Sequence, residues 1–221
     1  MCGRYTISSE LDEIINTFSV DISNFEYSKR YNVAPTQLVP GIINRDGKRV
    51  LEGFRWGLIP FWSKDPKIAY KMINARAEGI EKKPAFRSLI KRNRILIPSD
   101  GFYEWRQQED GKQPYRFQLK SKGVYAFAGL YDTWEDPKGE VIQSCTIITT
   151  DPNELVSDVH NRMPVILTDT DAWLDRETEE VLRFLKTYPT DHMIKYIVSK
   201  DVGNVKNSNA SLIDEVPLNS K

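Results

Sequence analysis

The alternation of apolar and polar residues along the chain predicts more strands than helices. Tyr115, Phe117 and Leu119 are apolar at every second position. Arg116 and Gln118 lie between them, which gives the two-residue period of a half-buried strand. Further short runs rich in apolar and aromatic residues predict strands over Gly3–Ser8, Val50–Leu58, Arg94–Ile97, Phe102–Arg106, Val124–Leu130, Ile142–Thr149, Val165–Leu167 and Met193–Val198.

Start signals and apolar stripes predict three helices. The first begins after Ser9, a capping residue for which Asp12 can complete a capping box. The second begins at Asp151, which is followed by proline at the first helical position and by an acidic residue three positions on. This second helix leads directly to His160. The third covers residues 177–188.

The order of these elements is not a regular alternation of strand and helix, which argues against a doubly wound parallel sheet. We therefore expect an α+β fold, with a barrel-like, largely antiparallel β core and flanking helices. A length of 221 residues fits a single domain. We expect that domain to span residues 1–221, with the segment after about residue 205 less ordered.

Charge is distributed unevenly along the chain. The 31 basic and 31 acidic residues cancel, which by itself argues weakly against a nucleic-acid partner. The segment from Lys64 to Arg94, however, holds ten Lys or Arg against three acids, a net charge of +7. A solvated basic face is the alternative reading of such a run. Arg76 lies within it and is able to pair with a phosphate through two hydrogen bonds.

The longest apolar run, Val124–Tyr131, is far shorter than the roughly 20 residues that a membrane span requires. The first residues also lack the apolar stretch of a signal peptide. We therefore expect a cytoplasmic protein without membrane contact, in which Cys2 and Cys145 are free thiols. Because no paired Cys or His ligands and no glycine-rich phosphate loop occur, we expect neither a metal nor a cofactor.

Cys2 becomes the N-terminal residue if the initiator methionine is removed, as is usual before a small side chain. It would then carry an α-amine, whose pKa is near 7.7–8.0 in model peptides, beside a thiol. Such an aminothiol condenses with an aldehyde to an imine, and the thiol then closes a five-membered thiazolidine ring. The alternative is that cysteine occupies the second position by chance.

Three other segments carry polar or aromatic residues in unusual places. Glu104 lies between large aromatic residues, where desolvation raises the pKa of a carboxyl toward the range useful for acid–base chemistry. His160 lies between a predicted helix and a strand, where a histidine can transfer protons near neutral pH. Trp56 and Trp62 precede the basic segment, and we expect Trp56 in the core and Trp62 near the surface. Aromatic and basic residues together suit single-stranded nucleic acid. A salt-bridged glutamate, a hydrogen-bonded histidine and ordinary core packing are the structural alternatives.

Seven segments, taken in order, resemble the SRAP family, whose members are also called SOS response-associated peptidases or abasic site processing proteins. The resemblance covers about residues 1–205. The matching segments are Met1–Tyr5, Tyr31–Thr36, Arg55–Pro60, Asn74–Glu78, Pro98–Trp105, Phe127–Leu130 and His160–Pro164.

The resemblance implies a monomer that binds single-stranded DNA at abasic sites and forms a covalent crosslink through Cys2, which shields the lesion. It implies that Asn74 orients the nucleophile and the sugar, that Glu104 serves acid–base chemistry and that His160 transfers a proton at the sugar oxygen. It further implies DNA contacts through four side chains. These are Arg4, Trp62, Arg76 and Arg162.

Two other functions remain open from the sequence. A cysteine peptidase would use Cys2, His160 and Glu104 as a triad, and the family's peptidase name reflects a proposed self-cleavage that exposes Cys2. A non-catalytic module that binds single strands would leave Cys2 without a role. The basic segment with its adjoining tryptophans favours a polyanionic partner over a general peptide substrate.

Overall fold

The computed structural model describes residues 2–109 and 111–217, so the expected removal of Met1 and the last four residues of the tail lie outside the described residues. The strands are β1 (Tyr5–Ile7), β2 (Ile22–Ser23), β3 (Arg30–Val33), β4 (Leu38–Arg45), β5 (Lys48–Trp56), β6 (Asn74–Arg76), β7 (Arg94–Ser99), β8 (Gly101–Gln108), β9 (Gly111–Leu119), β10 (Tyr125–Glu135), β11 (Val141–Thr150), β12 (Met163–Pro164) and β13 (Met193–Ile197). The helices are α1 (Leu11–Phe18), α2 (Leu89–Arg92), α3 (Glu154–Ser157) and α4 (Thr170–Leu174). Turns of 3-10 helix cover Pro66–Lys71, Ile80–Lys82, Val181–Phe184, Thr190–His192, Lys200–Gly203 and Ala210–Ile213.

Five strands close into a barrel. Strand β11 pairs with β10, β10 with β7, β7 with β4, and β4 with β5, all antiparallel. Strand β5 then pairs with β11 in parallel and completes the ring. The short strands β2, β6 and β12 extend this sheet at β5 and β11. The expected α+β fold with a barrel-like, largely antiparallel core is therefore confirmed.

A second antiparallel sheet lies beside the barrel, with the strand order β13-β9-β8-β1-β3. It continues from the barrel because β7 and β8 are separated by Asp100 alone. The ring of Tyr5 on β1 packs edge-on against Trp56 and Phe127 of the barrel, with centroids 5.3 and 5.7 Å apart. The apolar faces of the two sheets thus share one core.

The alternation along β8 divides its side chains between two clusters. Phe102 lies in the main core, and Tyr103 lies in a smaller cluster with Leu212 and Trp105. Asn32 donates a hydrogen bond of 2.8 Å to the carbonyl of Asn207. Residues after 205 that are described therefore pack against the second sheet.

The expectation that β9 is half-buried is wrong, because Arg116 and Gln118 are buried along with Phe117, whereas Tyr115 and Leu119 are only partly buried. Arg116 lies opposite Tyr103 of β8, on the face of the sheet that Val202 and Leu212 cover. Arg116 compensates for the burial of its charge by pairing with Asp100 at 3.2 Å and donating to the Tyr196 hydroxyl at 2.6 Å. An alternating pattern predicts that a charged residue is exposed, whereas Arg116 is buried because its charge has buried partners.

Both predicted helix caps are wrong. Helix α1 begins after Glu10 and has no side-chain cap, because the backbone N–H groups of Ser8 and Ser9 donate instead to the buried carboxylate of Asp100. Helix α3 is capped by Asn153, whose side chain accepts a hydrogen bond of 3.0 Å from the backbone N–H of Val156. Tertiary contacts outweighed the local cap signals at both positions.

The predicted helix over residues 177–188 is also wrong, since only Val181–Phe184 forms a 3-10 turn there. Glu177 N–H and the Thr178 hydroxyl both donate to the carboxylate of Asp175, which holds the chain in a turn at the predicted helix start. The predicted strand Val165–Leu167 is wrong as well. The regular strand there is β12, which ends at Pro164, and after it Ile166 forms a single β-bridge with Phe127.

Candidate active site

Cys2, Glu104 and His160 come together where the barrel meets the second sheet. Tyr5 lies opposite Phe102 in the β1–β8 pairing, and the N–H of Tyr103 donates to the Arg4 carbonyl at 3.0 Å. Because the two strands run antiparallel, this register brings Cys2, which precedes β1, close to Glu104 on β8. His160 follows α3 at the edge of the barrel, and its Nε2 lies 3.9 Å from Oε2 of Glu104.

The Cys2 side chain is only 3% exposed. Burial raises the pKa of its thiol well above the usual value, and the charge of Glu104 and a side-chain hydrogen bond with it raise that pKa further. Arg162 acts in the opposite direction through its positive charge. The thiol is therefore held neutral and its proton lies beside a carboxyl group.

Glu104 is equally buried, at 3% exposure. Burial raises the pKa of its carboxyl, while His160 and the hydrogen bond to Cys2 lower it to a smaller extent. The Oε1 atom is buried and has no hydrogen-bond partner among the described residues. A buried acceptor without a donor is costly, so this oxygen is able to accept a proton or a hydrogen bond from a bound reactant.

The ring of His160 is oriented by its own turn. The backbone N–H of Arg162 lies 3.1 Å from Nδ1, and the Arg162 carbonyl oxygen lies 3.2 Å from the same nitrogen. A backbone N–H can only donate and a carbonyl oxygen can only accept, so one of these two contacts suits either tautomer of the ring, and together they fix its direction. Nε2 faces Glu104, so the two groups can exchange a proton through the site.

Asn74 lies on β6, opposite Ile147 of β11. Its Nδ2 makes a long hydrogen bond of 3.4 Å with the carbonyl of Ile147. Its Oδ1 is buried and without a hydrogen-bond partner within residues 2–109 and 111–217. The amide oxygen thus offers an acceptor at the barrel edge, which suits a nearby amine or hydroxyl donor.

The three arginines expected to contact DNA differ in their availability. Arg76 is exposed. Arg4 donates from Nη1 to the Asn32 side chain and to the Val202 carbonyl, both at 2.7 Å, and its guanidinium lies 5.6 Å from the ring centroid of Trp105. The Arg162 side chain is 12% exposed and its terminal nitrogens contact protein acceptors. Arg76 is therefore the arginine that solvent and DNA can reach most easily.

Trp62 lies on an exposed loop, as expected, with 51% of its surface accessible, whereas Trp56 is buried in the core. The neighbouring Phe61 is 66% exposed, and Tyr70 in the following 3-10 turn is exposed as well. Gly57, with φ of 127°, lets the chain leave β5, and a Cβ there would lie 2.7 Å from the Ala69 carbonyl oxygen.

Three buried side chains hold the backbone of this aromatic loop, residues 59–63. The Asp132 carboxylate accepts from Phe61 N–H at 2.9 Å, and the Ser144 hydroxyl accepts from Ile59 N–H at 2.8 Å. The indole of Trp134 donates to the Ser63 carbonyl at 2.7 Å. Two large aromatic side chains are thus presented to solvent from a fixed backbone, next to the basic segment.

Sequence reasoning missed two residues of this region. Glu78 lies in the segment Asn74–Glu78 that resembles the family, but the sequence gives no sign that its carboxylate pairs with Arg162. Asp132 gave no signal, since an acidic residue in a strand pattern is normally read as exposed. Within the described residues, no group of three or more His, Cys, Asp or Glu side chains is arranged to hold a metal ion, and no helix is long and apolar enough to cross a membrane.

Comparison with known proteins identifies the family of this chain. The family model of the SOS response associated peptidases (SRAP) matches residues 1–205. The chain belongs to the SRAP family. Among its relatives, abasic site processing protein YoqW of Bacillus subtilis (strain 168) is 47% identical, over 97% of this chain and 99% of that protein. Abasic site processing protein HMCES of Xenopus tropicalis is 32% identical, over 100% of this chain and 80% of that protein.

The SRAP fold is also present among solved structures. A crystal structure of a protein from Bacteroides thetaiotaomicron superposes with a TM-score of 0.90 at 29% identity, over 98% of this chain and 100% of that chain. A protein from Bordetella bronchiseptica superposes with a TM-score of 0.78 at 27% identity, over 90% of this chain and 100% of that chain.

Proposed function

We propose that this protein processes abasic sites in single-stranded DNA by capturing them covalently through Cys2. The observation that carries the proposal is the buried contact of Cys2 with Glu104, with His160 beside it. The names of the SRAP relatives, which are abasic site processing proteins, support the same substrate. The crosslink would shield the lesion from strand breakage until it is repaired.

The reaction requires that removal of Met1, by self-cleavage or by another enzyme, exposes the α-amine of Cys2. About a tenth of such an amine is neutral at pH 7. It attacks the aldehyde carbon of the ring-opened deoxyribose, and the carbonyl oxygen leaves as water to give an imine. The thiol sulfur then adds to the imine carbon while its proton passes to the nitrogen. The positioned thiol has a high effective concentration, so the thiazolidine forms readily.

The neighbouring side chains supply the proton transfers that these steps need. Glu104, whose carboxyl pKa is raised by burial, takes up and returns protons beside the amine and thiol. His160 presents Nε2 toward the same place and transfers a proton at the sugar oxygen. Asn74 offers a buried amide oxygen that orients the amine or the sugar.

We further propose that the exposed surface beside this site binds the DNA strand. Trp62 provides a face on which a base stacks, and Arg76 with the basic segment contacts phosphates. Arg4 and Arg162 would contact phosphate only in exchange for some of their present partners. Binding through the backbone and by stacking implies little sequence preference.

The geometry favours this function over a cysteine peptidase. A peptidase nucleophile is a thiolate whose pKa is lowered by a neighbouring histidine. Here burial raises the pKa of the Cys2 thiol, and Nε2 of His160 faces Glu104. A non-catalytic binding module would give no reason for a buried cysteine beside two ionisable groups.

Intact-mass measurement tests the proposal. The purified protein should lack Met1, and incubation with an abasic single-stranded oligonucleotide should add the mass of that oligonucleotide less one water. The matched oligonucleotide without an abasic site should add nothing. A form that retains Met1 has no free amine at Cys2 and should bind DNA without crosslinking. Efficient crosslinking by this form, with its mass verified, would refute the N-terminal mechanism.

A further inference from the structure

Glu78 and Arg162 form an ion pair that connects two parts of the candidate site. Nη1 of Arg162 donates to Oε1 of Glu78 and Nη2 donates to Oε2, both at 2.9 Å. This is the two-point geometry in which a guanidinium and a carboxylate bind most specifically. The contact lowers the pKa of the Glu78 carboxyl, so Glu78 is charged at neutral pH. The pair links the segment after β6 to the turn that follows His160.

The other contacts of Arg162 connect it to two further parts of the chain. Its Nη1 also donates to Asp151 at 2.8 Å, and its Nη2 donates to the Thr149 carbonyl at 2.7 Å. Four of the five guanidinium N–H groups are thereby used, and the fifth is on the buried Nε. A phosphate would have to displace one of these acceptors. The guanidinium is therefore arranged to hold protein segments together.

The segments that Arg162 holds are those that orient His160. The backbone N–H of Arg162 donates to Nδ1 of His160, so the position of Arg162 sets the direction of the ring. The Thr149 carbonyl that accepts from Arg162 also accepts from Ala77 N–H at 2.8 Å, which ties β11, the Glu78 segment and the histidine turn at one atom. Loss of the Glu78 contact would loosen this junction.

We propose that Glu78 is a positioning residue of the abasic-site reaction, because its ion pair with Arg162 fixes the turn that directs His160 toward Glu104. The inference rests on the proposed function for its kinetic part, and on the structure alone for the orientation of the ring.

The test compares Glu78→Gln with Glu81→Gln. Both substitutions remove one negative charge from the same segment, but only Glu78 contacts Arg162; the ion-pair partner of Glu81 is Lys82 at 4.0 Å. The Glu78 side chain is about half exposed, so its replacement does not disturb the core. Crosslinking rates are measured at saturating abasic DNA, and affinity is measured separately with an intact single strand.

Glu78→Gln should lower the saturated crosslinking rate about 10- to 100-fold, the size of loss found when a partner that orients a metal-ligating histidine is removed, and leave affinity unchanged. Glu81→Gln should match the wild type. A changed affinity with an unchanged rate, no change in either quantity, or an equal loss of rate in both variants would overturn the proposal.

Nitrogen NMR of the imidazole rings gives a second readout that needs no DNA. The chain has two histidines, His160 and His192, and a His192→Gln variant assigns their signals. The His160 ring should show a single tautomer in the wild type and averaged signals in Glu78→Gln. An unchanged ring would overturn the positioning role. If the wild type forms no adduct but the ring responds, the proposed function fails and the positioning contact stands.

Discussion

The buried Cys2–Glu104 pocket and the exposed aromatic loop with its basic segment place their functional residues in opposite environments. In the pocket, Cys2 and Glu104 are almost completely removed from water, and burial raises the pKa of both. On the loop, Phe61 and Trp62 expose large aromatic surfaces, and the following segment exposes most of its Lys and Arg side chains, although Arg94 is buried.

This difference separates chemistry from binding. Desolvated groups keep protons that exposed groups would lose, which suits them to proton transfer. Exposed rings and cations can contact a long flexible strand without any rearrangement of the core. Substitutions in the pocket should therefore change the rate of crosslinking, and substitutions on the exposed surface should change affinity and its salt dependence.

The largest effect is expected in the pocket. Glu104→Gln and His160→Ala should each slow crosslinking by about 100- to 10,000-fold, the usual contribution of a general acid–base group, with affinity for single-stranded DNA unchanged. Single-turnover rates at saturating DNA and separate binding measurements check this. Losses confined to affinity would mean that both residues have only structural roles.

On the exposed loop, Trp62→Ala should weaken binding and leave the saturated rate intact. Stacking of a base on an aromatic ring contributes about 1–3 kcal/mol. Fluorescence titration with an intact single strand measures the loss, and Leu182→Ala, a change at an exposed apolar residue outside the loop, serves as the control. A Trp62→Ala variant that binds normally but crosslinks slowly would reverse the assignment of the two regions.

The salt dependence of binding should change by a smaller amount when one cation is removed. Affinity should fall with salt although the net charge is zero, with a slope of roughly −0.7 per phosphate neutralised. Arg76→Ala should flatten the plot of log affinity against log salt by close to one such contact. A salt-independent affinity of the wild type would show that the basic segment is only a solvated face.

The smallest expected effect is on the pH dependence of stability, which compares a buried carboxyl with an exposed one. Because the pKa of Glu104 is raised in the folded state, the folded protein binds a proton that the unfolded chain has already lost. The free energy of unfolding therefore falls as pH rises from the ordinary glutamate pKa toward the raised one. Glu104→Gln should remove this decline and be at least as stable as the wild type at neutral pH. Denaturant unfolding across that pH range measures it, and an unchanged decline would contradict the assignment.

The sequence predicted most of the strands, because their apolar runs are long and their burial is regular. Ends and short elements were predicted less well, since they depend on distant partners. Ser9 is tied to Asp100 rather than capping α1, and Arg116 is buried because the chain after β13 packs on its face of the sheet. No local pattern contains either contact.

For the candidate site, too, the sequence identified some residues and missed those that depend on distant partners. The sequence and the family resemblance identified Cys2, Glu104 and His160, and the structure brings these side chains together. The residues that hold the site were not identified, because Glu78 and Asp132 act through partners far away in the chain. The resemblance implies a DNA contact for Arg162, and its protein partners become visible only in the folded chain.

The most direct test of the central claim is the behaviour of Cys2→Ser with and without borohydride. This variant keeps the α-amine, so it should still form an imine with the opened sugar. Its hydroxyl is a far poorer nucleophile than a thiol, so ring closure should be slow. We predict a heat-stable adduct for the wild type without reductant, and for Cys2→Ser only when borohydride reduces the imine. A heat-stable adduct of Cys2→Ser without reductant, formed as readily as that of the wild type, would contradict the thiazolidine mechanism.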